Sequence, residues 1–192
     1  MEPIYGWDNI EEAGTYKKIE LGGHICIIKG ARIEKNKSGG QMMVIAYDFA
    51  PNDKQPDYFQ DMLKSDQKRN PQAKWRGVIY QNFNTEQSNP YFKRLINRIV
   101  ESNPGYQWDW NELGLKGKRF GGVFGREEYT NDKGESKFSI KCMEVRNLDR
   151  IFEADIPEDK LLQKEETTFI QNETEVKSTN GYLEIDNDDL PF

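Results

Sequence analysis

Residues 22–50 contain two apolar segments rich in β-branched residues, with a short turn sequence between them. The first segment, GGHICIIKGARIEK, covers residues 22–35, and the second, QMMVIAYDFA, covers residues 41–50. The residues between them, NKSGG, are typical of a mobile glycine-containing turn. The pattern predicts two consecutive strands joined as a hairpin, and the rest of the chain has to fold around that pair.

The middle of the chain adds two predicted helices and one predicted strand. DYFQDMLKSDQKR at residues 57–69 places four apolar side chains on one helical face. WRGVIYQNF at 75–83 has strand composition. NPYFKRLINRIVESNPG at 89–105 has the clearest helical period, with Asn89 placed as the cap and proline at the first turn.

Two further strands are predicted near residue 130. GKRFGGVFGREEY at 117–129 and SKFSIKCMEVRN at 136–147 flank the loop TNDKGE, which is the arrangement of a β-hairpin. The resulting order is strand, strand, small helix, strand, helix, strand, strand. We therefore expect a mainly β protein, a β-barrel with helices in the order of the five-stranded OB-fold, which binds oligonucleotides or oligosaccharides in other proteins.

The charge distribution divides the chain into three parts. Residues 151–192 hold 12 acidic and 3 basic side chains, whereas residues 16–150 carry a net charge of +7. We predict an acidic leader at 1–15, an OB-fold domain at 16–154 and a disordered acidic tail at 155–192, because the tail has too few apolar residues to offset its ordering entropy. A basic body with acidic extensions favours a polyanion as ligand.

Several classes of protein are disfavoured by composition. The chain has 2 cysteines and 1 histidine, without the spacing of a zinc site or a disulfide framework. It lacks a signal-peptide pattern and any apolar run long enough to cross a bilayer. We expect a cytoplasmic protein with no cofactor, no metal and no membrane partner.

A binder of single-stranded nucleic acid needs cations along the backbone and aromatic rings on which bases stack. Cations and rings interleave at 74–83 and again at 118–129. In a barrel strand alternate rings face the core, and the sequence does not say whether the parity of Trp75 and Phe83, or of Phe120 and Phe124, faces outward. The predicted DNA-binding residues are Lys29, Arg32, Lys35, Lys37, Lys74, Trp75, Arg76, Tyr80, Phe83, Lys118, Arg119, Phe120, Phe124, Arg126, Tyr129, Lys137 and Lys141.

An enzyme is a weaker interpretation of the same sequence. Neighbouring carboxylates such as Glu127 and Glu128 point to opposite faces of a strand, and His24 has no partner motif for catalysis. We predict no catalytic residues. A metal-dependent nuclease built from scattered carboxylates stays open as a less favoured alternative.

Two parts of the sequence resemble known families. The ending DDLPF at 188–192 resembles the acidic tip of bacterial single-stranded-DNA-binding proteins. Segments 14–34, 101–110 and 115–129 are similar to a phage-encoded family of single-stranded-DNA-binding proteins. The resemblance implies an OB-type core that coats and protects single-stranded DNA during phage replication, recombination and repair in a bacterial host. A strand-annealing protein or recombination mediator is the alternative.

The tip itself has the chemistry of a peptide held by another protein. Phe192 offers a ring and a terminal carboxylate, and Pro191 limits the conformations lost on binding. The resemblance implies that replication and recombination proteins of phage or host are the partners. The oligomeric state stays open, a dimer included. The predicted partner-binding residues are Asp186, Asp188, Asp189, Leu190, Pro191 and Phe192.

Overall fold

The computed structural model describes residues 5–6 and 17–162, and the structural statements below concern these residues. It is mainly β, with five strands and two α-helices. In chain order the elements are β1 (Gly22–Lys35), β2 (Gln41–Phe49), α1 (Tyr58–Gln67), β3 (Val78–Asn82), α2 (Asn89–Glu101), a 3₁₀ turn (Glu112–Leu115), β4 (Arg119–Thr130), β5 (Ser136–Arg146) and a second 3₁₀ turn (Ile151–Glu153).

The five strands form one antiparallel sheet in the order β3-β2-β1-β4-β5. β1 is the central strand, and it pairs with two neighbours, β2 and β4. Its first part, from Gly22 to Ile27, pairs with β4, and the part from Cys26 to Lys35 pairs with β2, with a bulge between Ile28 and Gly30. Because a bulge bends a strand and increases its twist, it lets β1 curve from one neighbour to the other.

The predicted order of strands and helices is confirmed, and the predicted closed barrel differs from what is observed. β3 and β5 are the two edges of the sheet, and within residues 17–162 no backbone ladder joins them. β3 is also shorter than predicted, since it covers Val78–Asn82 and leaves Trp75 in the preceding loop. The two edge strands are therefore separated by a gap.

The core is built from aromatic rings of several elements. Tyr47 and Phe49 of β2 contact Phe59 of α1, with ring centroids 5.4 Å apart in both cases. Phe120 and Phe124 of β4 are fully buried against the same cluster. Edge-to-face ring pairs of this kind add to the free energy gained from apolar burial.

A buried carboxylate connects α1 to the sheet. Asp48 at the end of β2 accepts hydrogen bonds from the backbone N–H groups of Phe59 and Gln60, at 2.9 and 3.1 Å. These donors belong to the first turn of α1, where the helix itself provides no acceptors. Asp48 therefore fixes the start of α1 against β2. Burial raises the pKa of its carboxyl group even though these N–H groups favour the charged form.

A second buried polar pair lies at the start of β1. The Nδ1 atom of His24 is 2.9 Å from Oδ1 of Asp53, and Nε2 is 2.9 Å from the carbonyl oxygen of Glu20. Asp53 also accepts from the backbone N–H of Ile25 at 2.7 Å and from that of Gln55 at 2.9 Å. Both atoms that face the ring nitrogens of His24, a carboxylate oxygen and a backbone carbonyl oxygen, can accept hydrogen bonds. The pair ties residues 20–25 to the β2–α1 connection.

The start of α2 differs from the sequence prediction. Ser88 occupies the cap position, whereas Asn89 is the first residue of the helix. The side chain of Asn89 accepts a hydrogen bond from the backbone N–H of Asn84 at 2.7 Å, so it stabilises the preceding turn instead. The apolar face was correctly predicted: Phe92, Leu95, Ile96 and Ile99 are buried.

Residues 155–162 are packed against β4, although the disordered tail was predicted to begin at 155. The N–H of Lys160 donates to the carbonyl of Arg126, and the N–H of Glu128 donates to the carbonyl of Lys160. Lys160 forms a parallel bridge with Glu127, so the segment covers part of β4 beyond Phe124, where β4 no longer pairs with β1. The rest of the predicted tail, and the predicted leader apart from residues 5–6, lie outside the described residues. Within the described chain, neither helix is long and apolar enough to span a membrane.

Candidate nucleic-acid interface

A groove of about 1500 Å³ lies between the two edge strands of the sheet. Its floor includes the core residues Tyr47, Phe59 and Trp75. One wall is formed by β3 and the β1–β2 turn, and the other by β5 with part of β4. The open sheet therefore has a cleft in the position where a β3–β5 ladder would close a barrel.

The β4–β5 wall continues the inner face of the sheet beyond the core. Phe124 of β4 is opposite Cys142 of β5, and the next pairs on the same face are Arg126 with Ile140 and Glu128 with Phe138. Since side chains on a strand alternate between faces, the face that buries Phe124 continues into Arg126, Ile140 and Phe138. Arg126, Ile140 and Phe138 line the groove, and Glu128, opposite Phe138 on the same face, is not among the lining residues.

The opposite wall ends in a well-defined turn between β1 and β2. The Oδ1 atom of Asn36 accepts hydrogen bonds from the N–H groups of Ser38 and Gly40, and its Nδ2 donates to the side chain of Asn82 on β3. Gly39 has a φ of 81°, a backbone conformation that glycine adopts without strain. The turn thus holds Lys37, an exposed cation, at the rim of the groove.

The charged residues that line the groove are all basic. It contains the cations Lys18, Lys37, Arg76, Arg126 and Lys141, and among the described residues that line it there is no aspartate or glutamate. A lining of this kind attracts an anion.

Three of these cations reach carboxylates just outside the groove. Arg76 is 2.8 Å from Asp66, Arg126 is 2.9 Å from Asp159, and Lys141 is 2.6 Å from Glu127. Hydrogen bonds from Lys141 and Lys160 lower the pKa of Glu127. The cations of these three pairs are 40–65% exposed, so an anion in the groove can also approach them.

Two aromatic rings offer exposed faces at the groove. Tyr80 on β3 and Phe138 on β5 are each 47% exposed. Tyr80 lies in a cross-strand row with Val44 and Arg32, since the register pairs Tyr80 with Val44 and Val44 with Arg32. Burial raises the pKa of the Tyr80 hydroxyl, with Glu34 and Arg32 as the nearby charges. One ring therefore stands on each wall of the cleft.

The structure brings only some of the predicted DNA-binding residues together. Those that line the groove are Lys37, Trp75, Arg76, Tyr80, Arg126 and Lys141. Those that lie elsewhere are Lys29, Arg32, Lys35, Lys74, Phe83, Lys118, Arg119, Phe120, Phe124, Tyr129 and Lys137. Several of the second group have local partners: Lys29 is 3.9 Å from Asp57, Arg32 is 2.5 Å from Glu34 and Lys137 is 3.1 Å from Glu135.

Four of the predicted stacking aromatics lie in the core or pack against it. Phe120 and Phe124 are fully buried, so the parity that they share is the inward one. Trp75 is 9% exposed, and its indole N–H donates to the carbonyls of Tyr47 and Gly77. Phe83 stacks on Phe92 with ring centroids 4.9 Å apart. In this structure all four rings pack in the hydrophobic core or against it. Their faces are therefore not available for base stacking.

Phe138 was missed by the sequence prediction. It alternates with Ile140 and Cys142 on β5, and that alternation was visible in SKFSIKC. Only the lysines of this strand were selected from the sequence, because they carried the charge. The alternating apolar residues of β5 continue from Cys142 through Ile140 to Phe138, and this pattern was the signal in the sequence for an apolar side chain at Phe138 on the same face.

The predicted partner-binding residues 186 and 188–192 lie outside the described part of the chain. Within residues 17–162 the structure contains no group of three or more His, Cys, Asp and Glu side chains placed to hold a metal ion.

Comparison with known proteins adds no family assignment. Neither the models of known protein families nor the curated proteins give a match to this sequence.

Proposed function

We propose that this chain is a single-stranded-DNA-binding protein, encoded by a phage, that coats DNA strands during replication, recombination and repair. The observation that carries the proposal is the groove between β3 and β5, which has five cations, two exposed rings and no carboxylate among its described lining residues. The sequence resemblance to phage single-stranded-DNA-binding proteins points the same way.

We interpret the sheet as an OB-type fold whose closure is incomplete. A central, bulged first strand that pairs with both the second and the fourth strand supports this interpretation. OB-folds bind oligonucleotides through their central strands and the loops after strands 1 and 4. Here the β1–β2 turn supplies Lys37, and the β4–β5 hairpin supplies Phe138 and Arg126 to the groove.

The lining fits single strands better than duplex DNA. A duplex has its base faces stacked internally, whereas a single strand offers them to Tyr80 and Phe138 while its phosphates meet Arg76 and Arg126. No step of bond breaking is required of the protein. The residues act by stacking, by charge neutralisation and by holding the strand in the cleft.

The acidic ending at 184–192 extends the proposal to partner proteins. In this proposal Asp186, Asp188 and Asp189 steer the tip toward a basic surface, and Phe192 fills an apolar pocket. Replication and recombination enzymes of phage or host are the partners that the resemblance implies.

The test is fluorescence anisotropy of labelled oligo(dT) and of a matched duplex, titrated with the protein over a range of salt. We expect binding to the single strand only, with an affinity that falls as salt rises because counterions are displaced from the phosphates. Tyr80→Ala removes a stacking ring worth about 1–3 kcal/mol, so affinity should fall by at least about fivefold.

Tyr91→Ala is the matched control, because Tyr91 is also an exposed tyrosine, 58% exposed against 47% for Tyr80, and lies on α2 outside the groove lining. It should leave binding unchanged. Equal affinity for duplex and single strand, or equal effects of the Tyr80 and Tyr91 substitutions, would contradict the proposal. Annealing of complementary strands in the same mixture would instead favour the mediator alternative.

A further inference from the structure

The loop between α2 and β4 has an exposed tryptophan in an unusual conformation. Trp110 is 79% exposed and has a φ of 65°, in the left-handed region that a bulky residue rarely adopts. The surrounding turn fixes it there: Asp109 accepts a hydrogen bond from the N–H of Asn111, and Asn111 accepts one from the N–H of Leu113. The ring is thus presented to solvent on an ordered turn.

The same loop has buried polar atoms without partners. The hydroxyl of Tyr106 and the indole N–H of Trp108 are buried and form no hydrogen bond. An unpaired buried polar group lowers the stability of the folded protein, and backbone strain lowers it further. Features of this kind concentrate where a protein contacts a ligand.

The rings of the loop are arranged with an open face and a neighbouring cation. Trp108 and Trp110 have centroids 6.2 Å apart and planes tilted by 53°, so they do not cover each other by stacking. The ammonium group of Lys118 lies 4.5 Å from the centre of the Tyr106 ring. Between residues 106 and 119, three cations (Lys116, Lys118 and Arg119) outnumber two acids (Asp109 and Glu112).

The loop is joined to the groove through β1. Gly117 and Lys118 extend the β4 ladder by hydrogen bonds to Ile28, each 2.8 Å long. Four residues further along β1 is Arg32, about 13 Å away at 3.3 Å per residue. Arg32 shares a cross-strand row with Val44 and Tyr80, which is at the rim of the groove. Arg32 is therefore a cation on β1 between the hydrogen bonds of the loop to Ile28 and the cross-strand row that ends at Tyr80.

We propose that the α2–β4 loop is a second contact site for single-stranded DNA, at which a base stacks on Trp110 while Lys118 and its neighbours meet the phosphates. This inference rests on the proposed function and extends it. In this proposal a strand longer than the groove extends to the loop, whereas a short strand occupies the groove alone.

The experiment compares two lengths of oligo(dT) with the full chain. The short one has about 8 nucleotides, within the roughly 4–16 that one OB-fold covers, and the other is several times longer. Trp110→Ala should leave affinity for the short strand unchanged and lower affinity for the long strand by at least about fivefold, the loss of one stacked base. Phe152→Ala, which removes a ring 53% exposed outside the loop, is the control and should affect neither.

A second measurement locates the contact directly. Long strands substituted with iododeoxyuridine, irradiated and digested, should cross-link to the peptide that contains Trp110 as well as to groove peptides. An unchanged long-strand affinity of the Trp110 variant, with cross-links to groove residues only, overturns this inference and leaves the groove proposal intact. Failure of wild-type protein to bind either strand overturns both. A variant that changes only the oligomeric state, measured by light scattering, makes the loop a protein contact and also overturns the inference.

Discussion

Asp53→Ala should be among the most destabilising single substitutions in the described domain. The Asp53 side chain is fully buried and accepts from the N–H of Ile25, the N–H of Gln55 and the ring of His24. Alanine removes the two oxygen atoms that accept these three hydrogen bonds. The substitution therefore leaves the ring of His24 and the N–H groups of Ile25 and Gln55 without their partner.

The magnitude follows from the groups left unpaired. Each buried donor without an acceptor costs about 1–3 kcal/mol, and the Gln55 N–H is close enough to solvent to recover part of this. The costs of neighbouring groups do not add fully. Together, the unpaired donors should lower the free energy of unfolding by about 3–5 kcal/mol. Asp53→Asn keeps the size and one acceptor, so about 1–3 kcal/mol should be lost.

The pH dependence provides an independent check on the mechanism. Burial pushes the pKa of Asp53 upward, but hydrogen bonds from His24, Gln55 and Ile25 outweigh it and lower the pKa. Since the folded pKa is below the unfolded one, about 3.9, the contribution of the charge is complete above that value and is lost as pH falls through the folded pKa. The stability difference between wild type and Asp53→Asn should therefore narrow below about pH 4.

Urea unfolding followed by far-ultraviolet circular dichroism, at several pH values, measures both effects. The matched control is Asp61→Ala, an exposed aspartate of α1 whose partner is Lys64. It should change stability by about 0.5 kcal/mol or less. Two results would refute the reasoning. One is a loss of less than about 1 kcal/mol in the free energy of unfolding of Asp53→Ala. The other is a difference in free energy of unfolding between wild type and Asp53→Asn that is the same at pH 3 and pH 7.

Two further predictions concern the groove floor and the end of the chain. Gly77→Ala would place a Cβ atom 2.3 Å from the carbonyl oxygen of Tyr47 and 2.8 Å from the ring of Phe59, so thermal unfolding should show a loss of about 1–3 kcal/mol. Gly114→Ala, where the nearest atom would be 3.7 Å away, is its control, and equal losses would contradict the steric argument. Removal of residues 184–192, which contain four acids and no base, should leave single-strand affinity intact or tighter at low salt in anisotropy titrations; clearly weaker binding would contradict this.

Local patterns in the sequence were sufficient for the order of the elements. Residues 22–35 were predicted as a strand with the bounds of β1, because β-branched residues continue through the segment and NKSGG ends it. The apolar face of α2 was equally clear, because its period of 3.6 residues is sustained over three turns. These signals depend only on near neighbours in the chain.

The site depends on distant contacts and was only partly predicted. Trp75 was predicted to stack on DNA bases because it lies between basic residues in the sequence. In the structure its indole N–H donates hydrogen bonds to the carbonyls of Tyr47 and Gly77, and this tertiary contact places the ring in the core. The parity of Phe120 and Phe124 was recognised, but only the packing of β4 between β1 and β5 shows that they face inward. Phe138 lines the groove because of the gap between β3 and β5, which no local pattern in the sequence contains.

The pairing of Lys160 with β4 sets how far the rest of the chain can extend. Thirty residues follow Leu162, and at no more than about 3.6 Å each they span at most about 110 Å. Any protein that holds residues 188–192 is therefore tethered within that radius of the β4–β5 hairpin. Such tethering turns a second encounter into an intramolecular one with its own effective concentration. A partner bound at the tip would meet the strand in the groove at a concentration fixed by tether length, whatever its concentration in solution.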